Sequence, residues 1–237
     1  MKALSITPDK EQRIPIRIIV LALLVAIVPS YSHGYEASAI SFSSADGVPL
    51  KGHLFGSGKT GVILAHMYPT DQRSWFALAQ KLATEGCTAM TFDFRGYGES
   101  GGNKEISQID RDLEAAYLFL KPKVERIFLI GASMGGTASV RVASRQPVDG
   151  VVCISGPVSF SGLDAEGAIG KVKAPCLFIA AEKDPGQAAS SARHLHSQAQ
   201  CKKDLLILSG SEHGTFLLQG PHKEQVEKRI LEFLRNP

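Results

Sequence analysis

From Ser38 to the last residues of the chain, short unbroken apolar runs alternate with stretches of helical periodicity. "VILAH", "TAMTFDF", "RIFLIG", "GVVCISG", "APCLFIAAEKD" and "DLLILSG" each read as a strand. Helix patterns fall between them: from Asp71 to a closing Gly86, from Ser107 to Leu120 ahead of Pro122, and in "MGGTASVRVASRQ", "GQAASSARHLHSQA" and "PHKEQVEKRILEFL". Runs with no polar face suit strands covered on both sides, and regular strand–helix alternation then demands a mostly parallel α/β sheet with helices on both faces. Two earlier strands in "SAISFSSADGVPLKGHLFG" flank a turn at Asp46 and Gly47, with apolar positions alternating on either side. In a sheet of this kind the reactive groups gather beyond the carboxyl ends of the strands.

At 237 residues, 44% of them hydrophobic, the chain suits one domain with a full core. The formal charge of +3 falls to about +1 once Lys2, Lys10, Arg13 and Arg17 are set against Asp9 and Glu11, so no basic field for nucleic acid is indicated. Those same N-terminal residues read as a targeting segment. A basic stretch precedes an apolar run from Ile18 to Val28, and Pro29 and small residues follow. The run is shorter than the about 20 residues that span a bilayer. Residues 1–34 are therefore expected to be an export signal, with an uncleaved N-terminal anchor as the alternative, and the domain to occupy 35–237. Either way the domain would sit in an exported, periplasmic or secreted, oxidising setting. No cysteine ends the apolar run, so a lipid-modified terminus is not indicated.

Cys87, Cys153, Cys176 and Cys201 are too dispersed for a metal cluster and too few for a disulfide scaffold. Each lies in or just before a predicted strand, where a thiol packs as a small hydrophobe. An oxidising destination would permit one disulfide, and Cys176 with Cys201 is the first pair to test.

Chemistry concentrates at Gly131-Ala132-Ser133-Met134-Gly135, between a strand and a small-residue helix. A Gly-x-Ser-x-Gly turn in that setting lifts the serine hydroxyl clear of the backbone as a nucleophile elbow. A serine hydroxyl needs a base to take its proton, and that base needs a carboxylate to orient it, in the order Ser, Asp or Glu, His. Asp184 follows "CLFIAAEK" and His213 follows "LLILSGSE", each just past a strand and in that order. Glu182 is the second choice for the acid, whereas Asp164 has no strand-end position. His194 and His196 lie two apart on a helix, as on a solvated face, His222 opens the closing helix and His53 sits on an early strand. "GSGKTG" is not a phosphate-binding loop, because His53 stands where glycine is needed and the stretch leads into a strand.

These features, with "DFRGYGESGG" after the fourth strand, resemble the α/β-hydrolase superfamily from roughly Ser38 onward. The glycine-rich stretch is similar to the superfamily's Asp-x-Arg-Gly-x-Gly-x-Ser segment. The resemblance implies an eight-stranded sheet with the second strand antiparallel, and an oxyanion hole made of two backbone N–H groups. One would come from Met134. The other would come from Tyr68 in His66-Met67-Tyr68, where methionine replaces the usual glycine. Because a residue with a side chain does not freely adopt positive φ, either Met67 or Tyr68 could be the donor, with His66 bracing the loop. Stretch 156–173 is too short for a separately folded cap, which resembles compact esterases and the dienelactone-hydrolase-like branch. The expected activity is hydrolysis of a carboxylic ester through an acyl-enzyme, with thioesters and peptides as lesser alternatives. No metal or organic cofactor is called for. The partner is a small ester or acyl substrate, and a membrane is met only through an uncleaved anchor. The competing reading is a non-catalytic binding module of the cell envelope built on the same fold.

Overall fold

A computed structural model describes residues 37–237. The expected signal or anchor, 1–34, lies outside the described residues. The chain opens with an antiparallel pair, β1 (Ser38–Ser43) and β2 (Pro49–Phe55), turned at Gly47 with φ +84°. There follow β3 (Thr60–Ala65), α1 (Phe76–Thr84), β4 (Cys87–Phe92), α2 (Ile109–Leu120), β5 (Arg126–Ala132), α3 (Met134–Ala143) and β6 (Gly150–Ile154). A two-stranded hairpin, β7 (Ser159–Phe160) with β8 (Leu163–Asp164), leads to the one-turn α4 (Glu166–Ile169). The chain closes with β9 (Cys176–Ala181), α5 (Ala188–Gln198), β10 (Lys203–Leu208) and α6 (Lys223–Arg235).

Eight strands form one sheet in the order β1-β2-β4-β3-β5-β6-β9-β10. Strand β2 runs antiparallel to β1 and β4, and the other pairings are parallel. This is the α/β-hydrolase fold that the resemblance implies, and no separate cap is present among the described residues. The helix expected from Asp71 begins with a 3-10 turn, Gln72–Trp75, capped by the Asp71 carboxylate on the Arg73 N–H at 2.8 Å. The helix expected from Ser107 likewise starts as a 3-10 turn, Ile106–Gln108. Tight first turns of this kind satisfy amides that an α-helix would leave unbonded.

Strand side chains alternate between two cores, as a period of two requires. In β5, Ile127 and Leu129 pack with α2, α3 and α5, while Phe128, Ile130 and Ala132 pack with α1 and α6. β9 divides in the same way, with Phe178 and Ala180 on one face and Leu177, Ile179 and Ala181 on the other. All six residues of β9 are buried, as are all of β4 and β6, so the sheet centre is rigid and its carboxyl edge is a fixed platform. Each large aliphatic side chain so buried stabilises by about 1.5–3 kcal/mol.

The glycine-rich stretch after β4 is a brace for that edge. The Asp93 carboxylate accepts the Gln72 amide at 2.9 Å, Gln72 Nε2 at 2.8 Å and the Glu99 amide at 3.0 Å. Arg95, 3% exposed, donates to Asp112 from Nε and Nη2 and to Asp46 from Nη1 at 2.8 Å. The loop is thereby tied to α2 and to the β1–β2 turn.

Candidate active site

Three strand ends converge on one hollow. Ser133 ends the β5-to-α3 turn with φ +50° and ψ −121°, a conformation that costs a non-glycine residue about 1–3 kcal/mol and persists only where the surroundings enforce it. The enforcement is visible. The Ser133 amide donates to Ile154 O at 2.8 Å, and the Ser133 carbonyl accepts from Gly136 at 2.8 Å and Thr137 at 3.1 Å. A Cβ on Gly135 would lie 2.3 Å from Ala65 O, and one on Gly131 2.1 Å from Gly135 O, so the sharp turn excludes side chains at both positions. Met134 is the first residue of α3, and an N–H there has no helical carbonyl behind it to bond.

Asp184 lies past β9 and His213 past β10. Asp184 Oδ1 accepts the Gly186 amide at 2.8 Å, and Oδ2 receives His213 Nδ1 at 2.7 Å. The Asp184 side chain is fully buried and that of His213 is 30% exposed. Because a carboxylate can only accept, Nδ1 carries the imidazole proton and Nε2 is left as an acceptor. Ser133 and His213 line one cavity of about 230 Å³ with Tyr68, Ser155, Pro157, Phe160 and Gly186. Among the described residues the Ser133 hydroxyl has no hydrogen-bond partner, and such contacts commonly tighten only when substrate arrives. A larger hollow of about 650 Å³, between β1 and α2, sets no serine beside a histidine.

The loop after β3 answers the question raised by Met67. The described non-glycine residues with positive φ are Ser133, Ser155, Ser161 and Gln187. Met67 is not among them, so this loop does not need glycine there. Its carbonyl is held by Thr70 N and Thr70 Oγ1, each at 2.9 Å, and by His66 Nδ1 at 3.0 Å. Across a planar trans peptide the next N–H points the opposite way, so the Tyr68 amide faces away from that cluster. His66 also accepts the Phe94 amide on Nε2 at 3.1 Å, which fixes its tautomer. Burial holds it below the ordinary histidine range. It is the loop brace expected from the sequence.

The rival residues go elsewhere. Glu182 pairs on the surface with Arg193 at 2.7 Å, His194 with Glu166 at 2.6 Å, and His53 with Gln72 at 3.0 Å. His222 lies 3.3 Å from Ser209 Oγ, and Asp164 Oδ1 caps the Glu166 amide. Sequence reasoning missed the hairpin that carries Phe160 to the cavity and also missed Ser155, at φ +51° with a buried hydroxyl that has no partner among the described residues. The Ser161-Gly162 pair, at φ +48° and +83°, was the available hairpin signal.

Comparison with known proteins agrees with this architecture. An esterase of Pyrococcus furiosus superposes with a TM-score of 0.76 at 21% identity, covering 85% of this chain and 91% of its own. The dienelactone hydrolase of Anabaena variabilis gives 0.71 at 23% identity, covering 84% and 97%. The chain has the α/β-hydrolase fold. The model of serine aminopeptidase S33 matches residues 57–164, which include Ser133 but stop short of Asp184 and His213. Human alpha/beta hydrolase domain-containing protein 17B is 25% identical over 168 residues, 63% of this chain. The thermostable monoacylglycerol lipase of Bacillus sp. strain H-257 is 26% identical over 169 residues, 64% of this chain and 67% of its own. The matched region spans 58% of the length of the 17B relatives.

Proposed function

We propose that this α/β hydrolase is a serine esterase that works through an acyl-enzyme. The observation that carries the reading is the Asp184–His213 pair, 2.7 Å apart, opening on the same cavity as a serine held at φ +50°. Ser133 Oγ attacks the acyl carbonyl as its proton passes to His213 Nε2. Asp184 keeps the imidazole in the tautomer that can receive it. The negative charge on the carbonyl oxygen is met by the N–H groups of Met134 and Tyr68, the second assignment supported by the anchored Met67 carbonyl. The intermediate then expels the alkoxide, which takes the proton from His213 and leaves as the alcohol, and water repeats the sequence to free the acid and restore Ser133. No step calls for a metal or organic cofactor.

A cavity of about 230 Å³ falls below the 300–1,000 Å³ usual for ligand pockets. With Pro157, Phe160 and Tyr68 as its apolar lining, it favours esters of compact acids over those of long fatty acids. The names borne by the esterase and the monoacylglycerol lipase agree with ester chemistry. Turnover of p-nitrophenyl acetate, falling as the acyl chain lengthens and abolished in a folded Ser133→Ala protein, is the expected result. Undiminished turnover by that variant would sink the proposal. Export, by cleaved signal or uncleaved anchor, is proposed from residues 1–34 and is tested by cell fractionation with N-terminal sequencing.

A further inference from the structure

Three loops of the site meet at one buried sulfur. Met67 and Ala132 are 1% and 0% exposed and belong to the loop after β3 and to the elbow. Gly214 follows His213 at φ +57°, and a Cβ built on it would lie 2.5 Å from Met67 Sδ and 3.5 Å from Ala132 Cβ. Thr215 Oγ1, on a fully buried residue, donates to the same sulfur at 3.6 Å. The volume that a side chain at 214 would fill is thus taken by the side chain at 67. The Met67 carbonyl is fixed by Thr70 and His66, so this contact joins the peptide that bears the Tyr68 amide to the chain that bears His213. We propose that Met67 is a positioning residue: its thioether sets the His213 loop against the Tyr68 amide. The inference rests on the esterase reading for its consequence in catalysis, and on packing alone for the coupling itself.

Displacements of about 1 Å in a catalytic site can cost about 100-fold in rate. Met67→Ala is therefore expected to lower kcat on p-nitrophenyl acetate by about 10–100-fold while KM stays nearly constant. Met67→Leu, close in volume, should recover most of the loss. A purely stabilising role would lower the melting temperature and leave kcat of the folded protein intact, and that result would overturn the proposal. Amide NMR separates this from failure of the esterase reading. Whether or not the wild type turns over ester, the Tyr68 and His213 resonances should both shift in Met67→Ala and return towards wild type in Met67→Leu. Unmoved His213 signals in Met67→Ala would refute the coupling.

A second inference comes from the opposite end of the sheet. Cys176 begins β9 and Cys201 lies just ahead of β10; their sulfurs are 3.6 Å apart, and the Cys176 amide donates to Lys202 O at 2.9 Å. Cys176 is buried and Cys201 half-buried. The neighbouring Cys176 thiol draws Cys201 down to about 7, while Cys176 itself is raised. We propose that these two thiols form a dithiol–disulfide couple that fastens β9 to β10. With glutathione disulfide as oxidant, the Cys201 thiolate attacks one of its sulfurs and releases one glutathione thiolate. Cys176 then loses its proton and attacks the Cys201 sulfur, releasing the second. Two protein thiols become one disulfide and one glutathione disulfide becomes two glutathiones.

Incubating the full chain with glutathione disulfide should reduce its four cysteine thiols to two on titration after denaturation. The mass should fall by that of two hydrogen atoms, with residues 176 and 201 joined in one peptide. The melting temperature should rise by about 5–10 °C, and Cys201→Ser should abolish all three effects. Retention of four thiols, or a stable glutathione adduct at Cys201 as the end product, would overturn the assignment.

Discussion

Asp184→Asn tests the site through a proton position. The carboxylate serves two donors, the Gly186 amide at 2.8 Å and His213 Nδ1 at 2.7 Å. In the asparagine variant the side-chain oxygen must stay on Gly186, since a backbone N–H cannot face an NH₂ group. The NH₂ then faces His213 and can only donate, so Nδ1 becomes the acceptor and the proton moves to Nε2. An imidazole protonated at Nε2 cannot take a proton from Ser133. Loss of the working tautomer costs about 10⁴-fold in kcat, about 5.5 kcal/mol at 1.36 kcal/mol per decade. The substituted group has nearly the same volume in a fully buried site, so the fold should survive. The assay is steady-state hydrolysis of p-nitrophenyl acetate beside thermal melting. Asp184→Ala supplies the control: it leaves the tautomer free, so it should lose less activity than Asn, but it strands the Gly186 N–H and should melt earlier. A kcat for Asp184→Asn within tenfold of wild type, or a greater loss in Ala than in Asn, would refute the reasoning.

Three other outcomes are expected. Gly135→Ala pushes a methyl group to within 2.3 Å of Ala65 O and should destabilise by about 3 kcal/mol in urea unfolding; a change under 1 kcal/mol, on the order of an ordinary surface substitution, would contradict the close approach. Asp112→Ala leaves Arg95, 3% exposed, without its fully buried partner, and should cost about 3–5 kcal/mol by the same measurement. Burial holds His66 below the ordinary histidine value of 6.5, so the unfolded chain binds its proton first as pH falls. Stability should be full above 6.5 and decline below it. A His66→Gln variant should show a flatter fall in melting temperature across that window, and an unchanged slope would assign the loss to other groups.

Much of this was legible in the sequence because the physics is local. The apolar runs of β3, β5, β6 and β9 have no polar face, so they could only be covered strands. Gly131 and Gly135 on either side of Ser133 announce a turn too tight for side chains, and Asp184 and His213, which the structure brings to 2.7 Å, stand out in the sequence because both follow such runs. What escaped depended on distant partners. The β7–β8 hairpin has two-residue strands, too short for any period to register. The glycine expected at position 67 carried no signal either, since the space that permits methionine there is made by Gly214, far along the chain. Met67 and Gly214 are legible only as a pair.

The order of the strands has a further consequence. Ser133 stands at the end of β5 in the middle of the sheet, but His213, proposed as its base, hangs from β10, which among the described residues is an edge strand paired with β9. Ser133 is thus synthesised before β9 and β10, and His213, proposed as its base, follows both. On the proposed mechanism, a growing polypeptide can hold a complete elbow and remain chemically silent until β10 docks. Labelling of Ser133 by a fluorophosphonate would then serve as a clock for the docking of β10 and not for the formation of the turn that carries the serine.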